Sequence, residues 1–124
     1  MDTKKFPLEA HGAAVSRAEL VQAALDEITQ NYREASLSNV ARSYGVSLAY
    51  VSECVRAQTG KTYKELLQKH RMETAARLLR RSDLNIQQII TQVGYENTSY
   101  FYRLFHERYG QSPREYRRAR SQRT

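Results

Sequence analysis

Apolar residues recur three and four positions apart from Val15 onward, and polar start and stop signals fall between the runs. Leu20, Val21, Ala24, Leu25, Ile28 and Tyr32 form a first stripe. Ser16 and Glu19 precede it at capping-box spacing, with Val15 and Leu20 placed as a hydrophobic staple. Ser36 opens a second stripe of Leu37, Val40, Ala41 and Tyr44, which Gly45 breaks. Ser47 caps a third helix running to about Gln58, and Gly60 stops it. Thr62 and Glu65 open a longer helix from Tyr63 to about Arg81. Asn85 and Gln88 start a fifth, ended by Gly94, and Asn97 starts a sixth, ended by Gly110. Ser112, Pro113 and Glu115 supply the N-cap, first-turn proline and capping partner of a seventh. The pattern predicts an all-α chain of seven helices with short connections. Scarce glycine (5) and proline (2) agree, since β-rich and disordered chains use more of both.

The chain also repeats itself. Gly60–Leu66 matches Gly110–Tyr116 in character at every position except the Tyr63/Pro113 pair. At the same offset of 50, Val51 pairs with Phe101 and Val55 with Phe105. Val40 pairs with Ile89 and Gly45 with Gly94 at 49, so the second copy carries one extra residue after its glycine. Each copy reads as short helix, tight turn, second helix. In the first, Ala41 is small where helices must approach closely, and Gly45 permits a positive φ. Ile89, Ile90, Val93, Gly94, Tyr95, Phe101 and Phe105 take the same roles in the second. This is the helix-turn-helix pattern, whose second helix lies in the DNA major groove. One match would be a weak signal; two in a short chain are much stronger.

The expected organisation is a flexible tail or linker over 1–14, a first helix-turn-helix subdomain over 15–61, a long linking helix over 62–82, a second subdomain over 83–120 and a tail over 121–124. Basic charge accumulates towards the end: five Lys/Arg against six Asp/Glu up to Ser47, eight against five up to Ser99, and seven against two thereafter. A basic C-terminal half suits a polyanion, although an anionic membrane surface or ribosomal RNA would satisfy the same charge. No apolar run approaches the roughly 20 residues of a membrane span, and Met1–Glu9 lacks a signal-peptide core. The single cysteine, Cys54, excludes an internal disulfide framework and fits a reducing, cytoplasmic setting.

The run from Gly94 to Phe105 (GYENTSYFYRLF), followed by Tyr109–Arg117 (YGQSPREYR), resembles the signature of the AraC/XylS family of bacterial transcription regulators. Arg71, Ala75, Leu78 and Leu79 fit it too, and the resemblance covers about Ser16 to Arg118. It implies a seven-helix DNA-binding domain with two helix-turn-helix halves on a connecting helix. A 20-residue helix is about 30 Å long, and major grooves on one DNA face repeat every ~34 Å. One monomer is therefore expected to reach adjacent grooves and to bind an asymmetric site of about two turns.

The family's base-reading positions map onto Ala49, Ser52 and Glu53 in the first reading helix, with Arg56 suited to a phosphate. Glu53 departs from the family, which often has a basic or amide residue there. A carboxylate accepts from cytosine N4 but repels phosphates, and the plainer reading of Glu53 is a solvated helix charge. In the second reading helix Thr98, Ser99, Tyr102 and Arg103 face outward, and a guanidinium at Arg103 bonds guanine O6 and N7 together. Tyr100 is open between packing and backbone contact. Arg114, Arg117 and Arg118 are expected on phosphates, as are Ser112 and the amides beside it; Arg120 and Arg123 read better as a solvated basic tail. Gly60-Lys61-Thr62 lacks the earlier glycine of a phosphate-binding loop. His11, His70 and His106 share no metal-ligand spacing, so no cofactor or metal is expected. The expected function is sequence-specific binding of double-stranded DNA by a transcription regulator, not an enzyme, with RNA polymerase as the further partner the resemblance implies. The alternatives are a sequence-tolerant architectural or RNA-binding module, and the DNA-binding part of a repair enzyme. The stretch before Ser16 is too short for a ligand-binding domain, so a small-molecule effector is expected only if a further domain lies outside this chain.

Overall fold

A computed structural model describes residues 15–122; 1–14, with the expected tail or linker, and 123–124, with Arg123, lie outside the described residues. Among the described residues are seven helices and no strand: α1 (Arg17–Gln30), α2 (Leu37–Tyr44), α3 (Leu48–Thr59), α4 (Tyr63–Arg81), α5 (Ile86–Gln92), α6 (Thr98–Tyr109) and α7 (Pro113–Gln122). The last helix ends two residues past the boundary drawn from the sequence. No described helix is long and apolar enough to cross a membrane. The chain divides into two compact units, with the division between Leu67 and Gln68, inside α4.

Helices this short depend on their ends and their neighbours, because isolated helices under about 12–15 residues are marginal in water. The ends are satisfied locally. Ser16 Oγ accepts from Glu19 N–H at 3.0 Å while Ser16 N–H donates to Glu19 Oε1 at 3.1 Å. The same reciprocal box joins Thr62 with Glu65, Asn85 with Gln88 and Ser112 with Glu115. Ser36, Ser47 and Asn97 cap α2, α3 and α6 through their side-chain oxygens. Each such cap contributes about 1 kcal/mol.

The two tight turns are built alike. After α2, Val46 N–H donates to Ala41 O at 3.0 Å and Gly45 N–H to Arg42 O at 3.3 Å. After α5, Tyr95 N–H donates to Ile90 O and Gly94 N–H to Thr91 O, both at 3.1 Å. These crossed pairs close the helix ends only if the residue between them takes a left-handed conformation. Gly45 (φ 68°) and Gly94 (φ 103°) supply it without a Cβ clash. The extra residue of the second copy is where the sequence offset placed it: Val46 alone separates Gly45 from the α3 cap, whereas Tyr95 and Glu96 separate Gly94 from the α6 cap.

In the first unit Leu20, Val21, Ala24, Ile28, Leu37, Val40, Ala41, Val51, Cys54, Val55 and Tyr63 form one buried cluster, with Val15 and Leu66 packed against it. Cys54 is a small core residue there, fully buried. The second unit buries Met72, Ala75, Ala76, Leu79, Ile89, Ile90, Val93, Phe101, Leu104 and Phe105. Larger residues replace the valines, and an aromatic column results. Phe101 stacks on Phe105 at 5.9 Å, and Phe105 meets Tyr109 at 4.6 Å and Tyr116 at 5.4 Å. Tyr63 and Pro113, the mismatched pair of the repeat, are both buried at the first position of their helices.

Two arginines of α7 close the C-terminal end of α4, where four carbonyls lack intrahelical partners. Arg117 donates from Nε to Leu79 O (3.1 Å), from Nη1 to Leu84 O (2.6 Å) and from Nη2 to Ser82 O (3.0 Å). Arg120 donates from Nη1 to Leu79 O (2.8 Å) and Ser82 O (3.0 Å), with Nη2 3.6 Å from the Asp83 carboxylate. Positive charge at a helix C-terminus also suits the macrodipole. Burial and the neighbouring Arg120 lower the Arg117 pKa, opposed by Asp83. Arg120 is thus no solvated tail residue: it is half-buried and bonded, because α7 returns to lie against the end of α4.

Two stability predictions follow from these contacts. Arg117→Met removes donors from several half-buried carbonyls and is expected to cost about 2 kcal/mol in urea or thermal unfolding, whereas exposed Arg118→Met should change stability by less than about 0.5 kcal/mol. Equal effects would refute the capping role. Thr74 is 1% exposed and its Oγ1 has no hydrogen-bond partner. Replacing that hydroxyl by a methyl in Thr74→Val should stabilise by about 1 kcal/mol; a loss of stability would mean the hydroxyl is satisfied in solution.

Candidate nucleic-acid interface

In each unit the helix after the tight turn buries one face and leaves the opposite face bare. On α3 the buried residues are Val51, Cys54 and Val55. Helical spacing then directs Ala49, Ser52, Glu53 and Arg56 the other way, and all four are exposed. On α6 the buried residues are Phe101, Leu104 and Phe105. Ser99, Tyr102, Arg103 and His106 are exposed opposite them, while Thr98, at the first turn, is half-buried with its hydroxyl 3.3 Å from Gln87 Oε1. The structure therefore brings together the outward residues of each helix that the sequence singled out.

The electrostatics of the two faces differ. Arg103 lies 3.6 Å from Glu107, one turn on, and its guanidinium stands 5.0 Å from the Tyr100 ring centre. Both partners of the ion pair are about 60% exposed, so water screens it and the arginine can exchange this partner for another at little cost. Tyr100 is half-buried, packs at 5.9 Å from the Tyr95 ring and accepts from Gln68 Nε2 at 3.3 Å. Tyr100 thus takes part in the packing of its unit. On α3, neither the Glu53 nor the Arg56 side chain makes a hydrogen bond or ion pair among the described residues.

Beside α6, Tyr102, Arg103, His106, Ser112, Pro113 and Arg114 line a cleft between its outward face and the start of α7. Ser112 caps α7 reciprocally with Glu115. Its N–H donates to the Glu115 carboxylate at 2.9 Å, which holds the Glu115 pKa below the usual range. Arg114 and Arg118 are exposed. Arg117 departs from the expected set: its guanidinium is turned onto the carbonyls at the end of α4, so it is a capping residue rather than a phosphate ligand.

Some residues on or beside these exposed faces escaped the sequence reading. His106 occupies on α6 the place Arg56 has on α3, and the repeat offset alone identifies it. Leu48 and Tyr50 are large apolar residues left 48% and 42% exposed at the start of α3. Arg17 stands over the Tyr50 ring at 5.8 Å, a cation beside α3 that only tertiary packing reveals.

A helix-turn-helix domain family model matches residues 40–119. The chain is 36% identical over 93 residues to the transcriptional activator NphR of a Rhodococcus species, covering 73% of this chain and 28% of NphR. It is 32% identical over 100 residues to YijO of Escherichia coli, described as an uncharacterised helix-turn-helix-type transcriptional regulator, covering 80% of this chain and 35% of that one. The chain thus spans about a third of these curated relatives. Among solved structures, the C-terminal domain of AraT, a response regulator from Geobacillus stearothermophilus, superposes with a TM-score of 0.75 at 36% identity, over 82% of this chain and 85% of that one. Fold, family and relatives are those of transcriptional regulators, and the chain belongs to the AraC/XylS-type family of helix-turn-helix DNA-binding domains.

Proposed function

We propose that the chain binds double-stranded DNA sequence-specifically by presenting α3 and α6 to adjacent major grooves, and that it regulates transcription by doing so. The observation that carries this is the duplication of one device: the same crossed-hydrogen-bond turn, followed by a twelve-residue helix with a bare outward face, occurs once in each unit. Such a helix matches the reading element of helix-turn-helix proteins. Arg103, with Ser99 and Tyr102, is assigned to base edges in one groove, and Ala49, Ser52 and Glu53 to those in the other. Thr98 supports the first set from the start of α6. Arg56, Arg114 and Arg118 are assigned to phosphates, with the Ser112 hydroxyl beside them. A regulatory role is supported by the printed names of the relatives, NphR being called a transcriptional activator.

Selection of binding sites from a random duplex pool tests the reading. The expected product is an asymmetric motif of about two helical turns. Arg103→Ala should relax one position of one half of it, costing about 1–3 kcal/mol of discrimination there. Recovery of no motif would leave the sequence-tolerant binder in its place. Phosphate contacts have a different signature. Arg118→Ala should weaken binding to every sequence alike and reduce the slope of log K against log salt by about 1. An unchanged slope would remove Arg118 from the interface.

A further inference from the structure

The internal repeat sets the two reading helices in register, and the register exposes an inversion of charge. α3 (Leu48–Thr59) and α6 (Thr98–Tyr109) are both 12 residues long and begin 50 residues apart. Their buried sets correspond pairwise, Val51 with Phe101, Cys54 with Leu104 and Val55 with Phe105. The outward residues must then correspond as well: Ala49 with Ser99, Ser52 with Tyr102, Glu53 with Arg103 and Arg56 with His106. A carboxylate therefore stands in one reader at the position where the other carries a guanidinium.

The surroundings of the two groups differ in a way that bears on Glu53. Arg103 has an acidic neighbour one turn on, Glu107, at 3.6 Å. The corresponding residue after Glu53 is Ala57, and the Glu53 side chain makes no hydrogen bond or ion pair among the described residues. Its acceptor oxygens are unengaged within the chain. The guanidinium of Arg56, three residues on and on the same exposed face, is likewise unengaged among the described residues. It puts a cation where DNA phosphates approach and offsets their repulsion of the carboxylate.

Base edges in the major groove discriminate by sign. Guanine offers two acceptors, O6 and N7, which suit Arg103, while cytosine offers the N4 amino donor, which suits an ionised carboxylate. Building on the DNA-reading function above, we propose that the two readers select opposite bases at the equivalent step, Arg103 a guanine and Glu53 a cytosine. Ala49, small and exposed, lets the α3 backbone approach the base edges closely. The half-sites are then chemically unlike although the helices that read them are related by duplication.

The test is site selection from a random duplex pool with the wild-type chain, Glu53→Gln and Glu53→Arg, each first shown to unfold cooperatively at the wild-type temperature. The wild type should yield one half-site with a required cytosine and one with a required guanine. Glu53→Gln should lose the cytosine preference by roughly tenfold, with adenine gaining. Glu53→Arg should turn the same position to guanine, with the half read by Arg103 unchanged in both variants. A two-part wild-type motif that neither variant alters would make Glu53 a solvated helix charge and overturn the proposal, leaving the DNA-reading function intact. A wild type that selects no motif would overturn both.

Discussion

A helix of seven or eight residues cannot stand alone in water, and α2 and α5 are of that length. They persist because the chain ends each of them within a residue or two and turns directly into a longer helix that covers their apolar side. The crossed hydrogen bonds around Gly45 and Gly94 make that possible. Everything else in each unit depends on this turn. It fixes which stripe of α3 or α6 meets the core, and by doing so it fixes which stripe does not. An outward face with no packing duty is free to vary chemically. The outward face of α3 carries a methyl, a hydroxyl, a carboxylate and a guanidinium (Ala49, Ser52, Glu53, Arg56), and that of α6 a hydroxyl, a phenol, a guanidinium and an imidazole (Ser99, Tyr102, Arg103, His106).

Basic residues in a DNA-binding domain need not touch DNA. In α7 the arginines divide by helical phase. Arg117 and Arg120 turn inward onto the carbonyls of α4 and the loop after it, whereas Arg114 and Arg118 stay exposed. The inward pair adds to Ser82, whose Oγ donates to Leu78 O at 2.8 Å, in closing that helix end. Net charge alone cannot separate these roles, since each arginine adds equally to it.

This explains how much was legible beforehand. The helices and their boundaries were readable because their causes are local: Ser16 and Glu19, Asn85 and Gln88, Gly45 and Gly60 all act within a few residues of themselves. Outward faces were readable because helical spacing converts a known core into its complement, which placed Ser52, Glu53, Tyr102 and Arg103 correctly on the surface. What escaped has partners far along the chain. Arg117 meets carbonyls 33 to 39 residues away, and Tyr100 meets Gln68 at a separation of 32. The capping box at Ser112 was legible for the same local reason, its N–H donating to the Glu115 carboxylate and its Oγ accepting from Glu115 N–H.

The central claim is that one chain carries two reading helices that act together. The most direct measurement is a guanine-methylation and hydroxyl-radical footprint of the purified chain on a high-affinity duplex, with the stoichiometry fixed by sedimentation. The account predicts one chain per duplex and two protected major-groove patches about one helical turn apart, on the same face of the DNA. A single protected patch, or two patches that require two chains, would contradict it.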